Sequence, residues 1–467
     1  MRAFHASHAL SSRLIEFLGG DSLDHATALY VTHSDGFAFD RRELRLPCEL
    51  DWFLQHGMDI ARSMADTQHR LLHLDVEYVN FDAPAEAFVD PWRCFELQEP
   101  VVKAIESLLL ESGIQPLHLI TGQGHHFVWQ IKRSSEVAER ISALSPAPEM
   151  VGPCMERIPP FLANQIVASD QSFFAATALL VEWLAHRVKE RASRHASLPV
   201  EITAVHVGPC VTPQREMISI DISEYGDPLH TRMIRMPFTK YRKPWVTGLA
   251  KRLGIEKEIP AIRAIPLHEM DFRQALKVRQ VDREVQELAH RACTRIPVQE
   301  EGTSRLLDGY LASRLRRFHE YYYSATHDPK DRWPETYERT PVCTLPHCAQ
   351  HVLAHPNDLL LKPAGMQLVT RCLCAQGWHP RHAAGLIRSK FENPIYGWGF
   401  HWEDYEPGTR ADFYTRLFAG LYWSGLDRLL DLNCTSTREK GFCFRSTEAT
   451  CNLEPSRLAL LSRMPHD

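Results

Sequence analysis

The chain has no run of about eighteen charge-free apolar residues, the length a membrane-spanning helix needs. Its opening MRAFHASHALSSRLIEF also lacks a long apolar core followed by a small-residue cleavage site. These absences predict a cytoplasmic protein with no membrane partner. Internal repeats, low-complexity tracts and heptad arrays are missing as well, which excludes solenoids and coiled coils. No glycine fingerprint opens a helix after a strand, which argues against a dinucleotide-dependent redox enzyme. An excess of positive charge is also lacking, since the formal net charge is −5. A phosphate-binding surface needs clustered Lys and Arg, so only a local patch could serve nucleic acid.

What is present is enough for at least two cores: 467 residues, 44% of them hydrophobic, where single cores seldom exceed roughly 300 residues. Short β-rich runs at Ala28–Thr32, Leu71–Val79, Leu117–Thr121, His126–Ile131 and Met217–Ile222 alternate with helical periodicity at Leu97–Ser112 and Phe161–Arg194. After about residue 260 strands become scarce, and Asp271–Arg295, Ser304–Tyr323, Ala364–Gln376 and Arg410–Leu430 read as helices. An α/β domain over 1–260, a helical linker region over 261–340 and a mostly helical domain over 341–467 are expected. Proline-containing stretches at Ile259–Pro266 and Asp328–Pro346 are the linker candidates, because proline donates no backbone hydrogen bond and holds its predecessor extended.

In LHLDVEYVNFD the period-2 alternation of a strand puts Asp75 and Glu77 on one face. Two like charges side by side call for a cation, and hard oxygen ligands suit Mg²⁺ or Mn²⁺. A plain solvent-facing strand would show the same pair. Asp221, in MISIDISEY, can complete a three-carboxylate set. A basic run follows it: Arg232, Arg235, Lys240, Arg242, Lys243, Lys251 and Arg252, with no acid from Pro228 to Arg252. Acids holding two metals beside cations that grip a triphosphate is the arrangement phosphoryl transfer needs. Between the acidic segments, HLITGQGHHFVWQI predicts strand, turn and strand. Gly122 and Gly124 are expected to let backbone amides approach phosphate oxygens, and His126 is expected to face the acids.

In this order the three segments resemble the motifs of the archaeo-eukaryotic primase superfamily, over roughly residues 25–250. Asp75 and Glu77 resemble the paired acids of its first motif. Thr121, Gly122, Gln123, Gly124 and His126 resemble its serine-glycine-basic-glycine-x-histidine motif. Asp221 resembles the third metal ligand, and RMIRMPFTKYRK resembles the basic run that follows, with Arg232, Arg235, Thr239 and Lys243 on matching positions. Gln123 and Tyr241 depart from the pattern, standing where the family often has a basic residue and a phosphate-contacting histidine. Both keep a hydrogen bond but lose a charge, so a triphosphate must lean harder on His126, Arg235 and Lys243.

Twelve cysteines without a secretion signal argue for metals or packing rather than disulfides. Cys434, Cys443 and Cys451 are separated by eight and seven residues, and Cys348 lies 86 positions before the first of them. Four thiolates suit zinc or an iron–sulfur cluster. Cys343, Cys372 and Cys374 compete as ligands, but Cys372 and Cys374 stand two apart in a predicted helix, on different faces, and are assigned to packing. The segment Thr344–Leu453 resembles the C-terminal domain of the primase large subunit, in LPHC, in the helical stretch LLLKPAGMQLVTRCLCAQGWHPRHAAGLIRSKFE and in CTSTREKGFC.

Together the resemblances imply an α/β primase small-subunit-like domain with an RRM-like sheet, joined to a helical domain carrying a [4Fe–4S] cluster. The implied activity is synthesis, and extension, of primers on single-stranded DNA from NTPs or dNTPs with two Mg²⁺ or Mn²⁺ ions. Thr121, Gln123, His126, Arg232, Arg235, Tyr241 and Lys243 would bind the nucleotide, and a helicase or other replication proteins are candidate partners. The alternatives are a repair or translesion polymerase that only extends primers, and a nucleic-acid-binding protein with a decayed site.

Overall fold

The computed structural model describes residues 8–33, 43–144, 146–205, 215–256, 259–444 and 451–463. The chain is mixed α/β with a helical C-terminal half. Twelve short to medium strands are described: β1 Val31–His33, β2 Leu44–Arg45, β3 Ile60–Ser63, β4 His69–Asn80, β5 Leu117–Ile120, β6 Gly124–Lys132, β7 Val200–Ile202, β8 Glu216–Asp221, β9 Met233–Arg235, β10 Lys240–Tyr241, β11 Ile262–Arg263 and β12 Ile265–Pro266. A six-stranded sheet runs β12-β5-β6-β4-β8-β7, antiparallel except for the parallel β7/β8 pair. A four-stranded antiparallel sheet, β2-β1-β3-β9, lies beside it, and β10 pairs with β11.

Strand β4 sets the layout. Leu72, Leu74, Val76 and Tyr78 are buried in the main core, while the alternate residues His73, Asp75 and Glu77 share the other face. Helix α1 (Pro91–Glu111) packs on β4, and α2 (Ala168–Ala192) packs on α1. The expected helix over Phe161–Arg194 begins only at Ala168, where the Asp170 carboxylate accepts from the Val167 amide at 3.0 Å.

The helical half comprises α3 Phe272–Val278, α4 Asp282–Arg291, α5 Glu300–Leu311, α6 Arg314–Tyr323, α7 His347–Ala354, α8 Pro363–Ala375, α9 Pro380–Phe391, α10 Pro407–Trp423, α11 Cys434–Glu439 and α12 Glu454–Leu461. Two expected helices are each broken. Between α3 and α4 the Arg279 carbonyl accepts from the Arg263 amide of β11 at 3.1 Å, and its guanidinium reaches the Thr121 carbonyl. Between α5 and α6, Ser313 caps the second helix by accepting from Arg316 N at 3.1 Å. The stretch Ile259–Pro266 is no free linker. It holds β11 and β12, and β12 forms the edge of the main sheet, where Pro266 needs no outward donor. Asp328–Pro346 is irregular apart from two single 3₁₀ turns, yet it buries Trp333 and Tyr337.

The α/β and helical halves share one core that runs from Leu14 to Leu460. Buried ion pairs cross between them. Fully buried Glu182 of α2 accepts from Arg416 Nε of α10 at 2.8 Å and lies 3.2 Å from His319 Nε2 of α6. The other ring nitrogen of His319 is 2.9 Å from the Tyr310 hydroxyl of α5. Asp227 joins Arg410 of α10 at 3.2 Å, and at the surface Arg381 of α9 reaches the half-exposed Glu149 at 2.5 Å.

Candidate active site

The register of β4 places the chemistry. Asp75 is paired across the sheet with His126 of β6 on one side and Asp221 of β8 on the other. Directly opposed residues bring their Cβ atoms to about 5 Å, so an imidazole and two carboxylates form one row. Glu77 follows on the same face. These groups open on a cleft of about 240 Å³, whose far wall comes from β9 and β10: Arg232, Met233, Arg235 and Tyr241 join Thr121, Ser223 and Glu224 around it.

The electrostatics are those of crowded anions. Burial, then Glu77 and Asp221, push the Asp75 carboxyl well above the usual carboxylate range, and burial and Glu77 raise Asp221. Asp221 Oδ1 accepts from the Ser223 amide at 2.9 Å. Asp75 Oδ1 is fully covered yet has no hydrogen-bond partner, with His126 Nε2 standing off at 3.5 Å. Burial, His73 and Arg235 hold the His126 imidazole well below its ordinary pKa, so it is neutral at pH 7 and offers a single N–H. A covered, partnerless carboxylate oxygen among three further carboxylates is donor chemistry that suits a hard divalent cation. Among the described residues no group of three or more His, Cys, Asp or Glu is already drawn together as a metal site, so the fit rests on that oxygen and on the donor set.

The two residues that depart from the primase motifs touch one another. Gln123 Nε2 donates to Glu77 Oε2 at 2.7 Å, and the Tyr241 hydroxyl donates to Gln123 Oε1 at 3.4 Å. The glycines on either side of Gln123 answer to packing. A Cβ on Gly122 would lie 2.2 Å from the Tyr241 ring, and one on Gly124 would lie 1.7 Å from the Val76 carbonyl oxygen. Close strand and ring contact therefore requires glycine at both positions. Thr121 is turned inward, with its hydroxyl on the Gly124 carbonyl at 3.2 Å. Thr239 is likewise internal, donating to the Met236 carbonyl at 2.8 Å.

The basic run does not present one bare cationic face, because acids from elsewhere meet it. Arg235 pairs with buried Asp59 and its guanidinium lies 4.4 Å from the Tyr241 ring centre. The Arg242 amide also donates to Asp59, at 3.0 Å, and Arg232 pairs with Asp227 at 2.8 Å. Lys243, 45% exposed, stands 3.8 Å from Glu77 Oε1. Sequence reasoning missed Asp59, His73 and Glu224. His73 was legible as the residue two before Asp75 on the same strand face; it lies 2.7 Å from Glu224 and edge-on to His126 at 4.7 Å. Asp59 carried no signal, since only long-range pairing of β3 with β9 brings it to Arg235.

Lys243→Ala probes whether this wall takes a triphosphate, as the motif resemblance implies. It is expected to raise the nucleotide KM, or lower kcat/KM, by roughly ten- to a hundredfold, the value of one charge-assisted contact. Steady-state kinetics check it, and unchanged constants return Lys243 to a solvated surface. Arg235→Ala confounds the reading, because it strands a buried carboxylate.

The four cysteines singled out by spacing face one cavity, although among the described residues no three of them are already drawn together as a metal site. Cys348 of α7, Cys434 at the start of α11, Cys443 and Cys451 line one small cavity of about 20 Å³ with His347 and Arg438. Asn433 caps α11, accepting from Ser436 N at 2.9 Å, and Gly441, at φ 75°, turns the chain back toward Cys443. Burial and then Cys451 push the Cys348 thiol up to about 12. Cys372 is buried in α8 outside the cavity lining and Cys343 is exposed. Four thiols around one space are suitable donors for zinc or an iron–sulfur cluster. Comparison of the chain with protein-family models, with curated proteins and with solved structures finds no match.

Proposed function

We propose that the chain is a nucleotidyltransferase of the primase-polymerase kind, acting on single-stranded DNA with NTPs or dNTPs. The observation that carries this reading is the row His126, Asp75, Asp221 on three neighbouring strands, with Glu77 beside it and cations on the facing wall. Asp75, Glu77 and Asp221 would hold two Mg²⁺ or Mn²⁺ ions, which when bound balance charge on the phosphates and acidify the attacking hydroxyl. Gln123 fixes one oxygen of Glu77. Neutral His126 is placed to donate to a phosphate oxygen, and Arg232, Arg235 and Lys243 take up the charge released as pyrophosphate departs.

Incorporation of labelled nucleotide on single-stranded DNA, with and without an annealed primer, tests the reading. Product on unprimed template supports primer synthesis. Product only with a primer makes the chain an extending repair or translesion polymerase, and no product with either leaves a nucleic-acid-binding protein.

Cys348, Cys434, Cys443 and Cys451 are proposed to ligate one [4Fe–4S] cluster, with Zn²⁺ as the alternative. Protein purified without oxygen is then expected to be brown, and Cys348→Ser to bleach it while loosening α7 and α11, since metal binding and local folding are coupled. Iron analysis and visible absorbance check this. One equivalent of zinc without iron keeps the ligands and removes the cluster; no metal at all removes both.

A further inference from the structure

Behind the wall of the acidic cleft a chain of three charges leads from Arg232 to the helical half. Arg232 on the cleft wall places Nη2 at 2.8 Å from Asp227 Oδ2, and Asp227 Oδ1 lies 3.2 Å from Arg410 Nη1 on α10. Asp227 is 3% and Arg410 6% exposed, so the pairing is shielded from water. Arg410 is held on several sides. Its guanidinium lies 4.2 Å from the Tyr405 ring centre and 5.1 Å from that of Tyr414, and Nη2 donates to the Leu361 carbonyl at 3.2 Å. Beside it Gly226 is pressed on Phe413, with no room for a Cβ, which would fall 2.7 Å from the ring. The segment from Asp221 to Arg232, joining a carboxylate of the site to a cation of the site, is thus seated on α10.

We infer that Arg410 is a positioning residue for the nucleotide site, acting through Asp227 on Arg232, so that the helical half completes the phosphate wall; this rests on the nucleotidyl-transfer reading. Were Asp227 paired with Arg232 alone, the two charges would cancel and the wall would offer a triphosphate little. With Arg410 supplying the second counter-charge, the trio keeps one net positive charge, and Arg232 can turn a donor to phosphate without stranding Asp227.

The test is binding of a non-hydrolysable nucleoside triphosphate with Mn²⁺ to the full chain, by calorimetry, with thermal melts to confirm folding. Arg410→Met is expected to weaken binding roughly tenfold, and Arg410→Lys, which restores the charge, to recover most of it. Arg232→Met should weaken binding at least as much, and the double variant no further, since both substitutions interrupt one path. If Arg410→Met does not fold, Arg410→Gln carries the same expectation, because it keeps a donor for Asp227 and loses only the charge. Nucleotide binding unchanged in the folded Arg410 variant, or additive losses in the double variant, overturns the inference alone. A wild-type chain that binds no nucleotide overturns the nucleotidyl-transfer reading and this inference with it.

Discussion

Glu182→Gln is expected to destabilise the protein by about 3–5 kcal/mol, the cost of leaving a buried cation without its counter-charge. Glu182 is fully buried and shared by Arg416 and His319, which come from two helices of the C-terminal half. Burial alone would raise its carboxyl, but Arg416 and then His319 outweigh that and hold it at about 2. A carboxylate whose folded pKa lies below its unfolded value near 4.5 contributes stability that is complete above the unfolded pKa and lost as pH falls through the folded one. His186, one turn along α2, adds to this at milder acidity. Burial holds its imidazole at about 4, below the ordinary 6.5, so its neutral form favours folding above pH 6.5 and that contribution declines toward pH 4. Acid unfolding should therefore begin between pH 6.5 and 4 and steepen below 4.5. Urea titrations at several pH values check both points. A Glu182→Gln variant as stable as wild type at pH 7 would show that the ion pairs between the halves are dispensable.

How much was legible follows from the range of each interaction. Asp75, Glu77, Asp221 and His126 were found because strand alternation within one segment fixes which residues share a face, and β4, β6 and β8 are long enough to display it. The order β6-β4-β8 then aligns them in register. The four cysteines were found by residue type and spacing, and the fold gathers them around one cavity. What escaped depends on distant partners. The proline-containing stretch Ile259–Pro266 reads as a break because nothing near it in sequence shows that β5 will accept it as an edge strand. The helix expected across Asp271–Arg295 breaks where Arg279 is drawn to β11 and the Thr121 carbonyl, contacts to segments before it in the chain. Counting charges from Pro228 to Arg252 found cations but not Asp59, which lies far upstream and holds Arg235 and Arg242. Nor did any local pattern foretell that α10 would underlie the loop from Asp221 to Arg232.

The carboxylate row is the centre of the account, and Asp75→Ala with Glu77→Ala in one chain addresses it. Removing these anions is not expected to harm the fold. Burial, Glu77 and Asp221 already disfavour the charged form of Asp75, so its loss relieves repulsion. Thermal melts should place the double variant at or above wild type. Catalysis should respond the other way, because the variant retains only Asp221 of the three proposed ligands and the charge on the departing pyrophosphate goes unbalanced. The decisive measurement is template-dependent nucleotide incorporation with Mg²⁺ or Mn²⁺ by wild type and by this folded double variant, each with and without a chelator. The account predicts product from wild type that the chelator abolishes, and a loss of roughly a thousandfold or more in the variant. Incorporation by the variant at the wild-type rate, or product that survives the chelator, would contradict it.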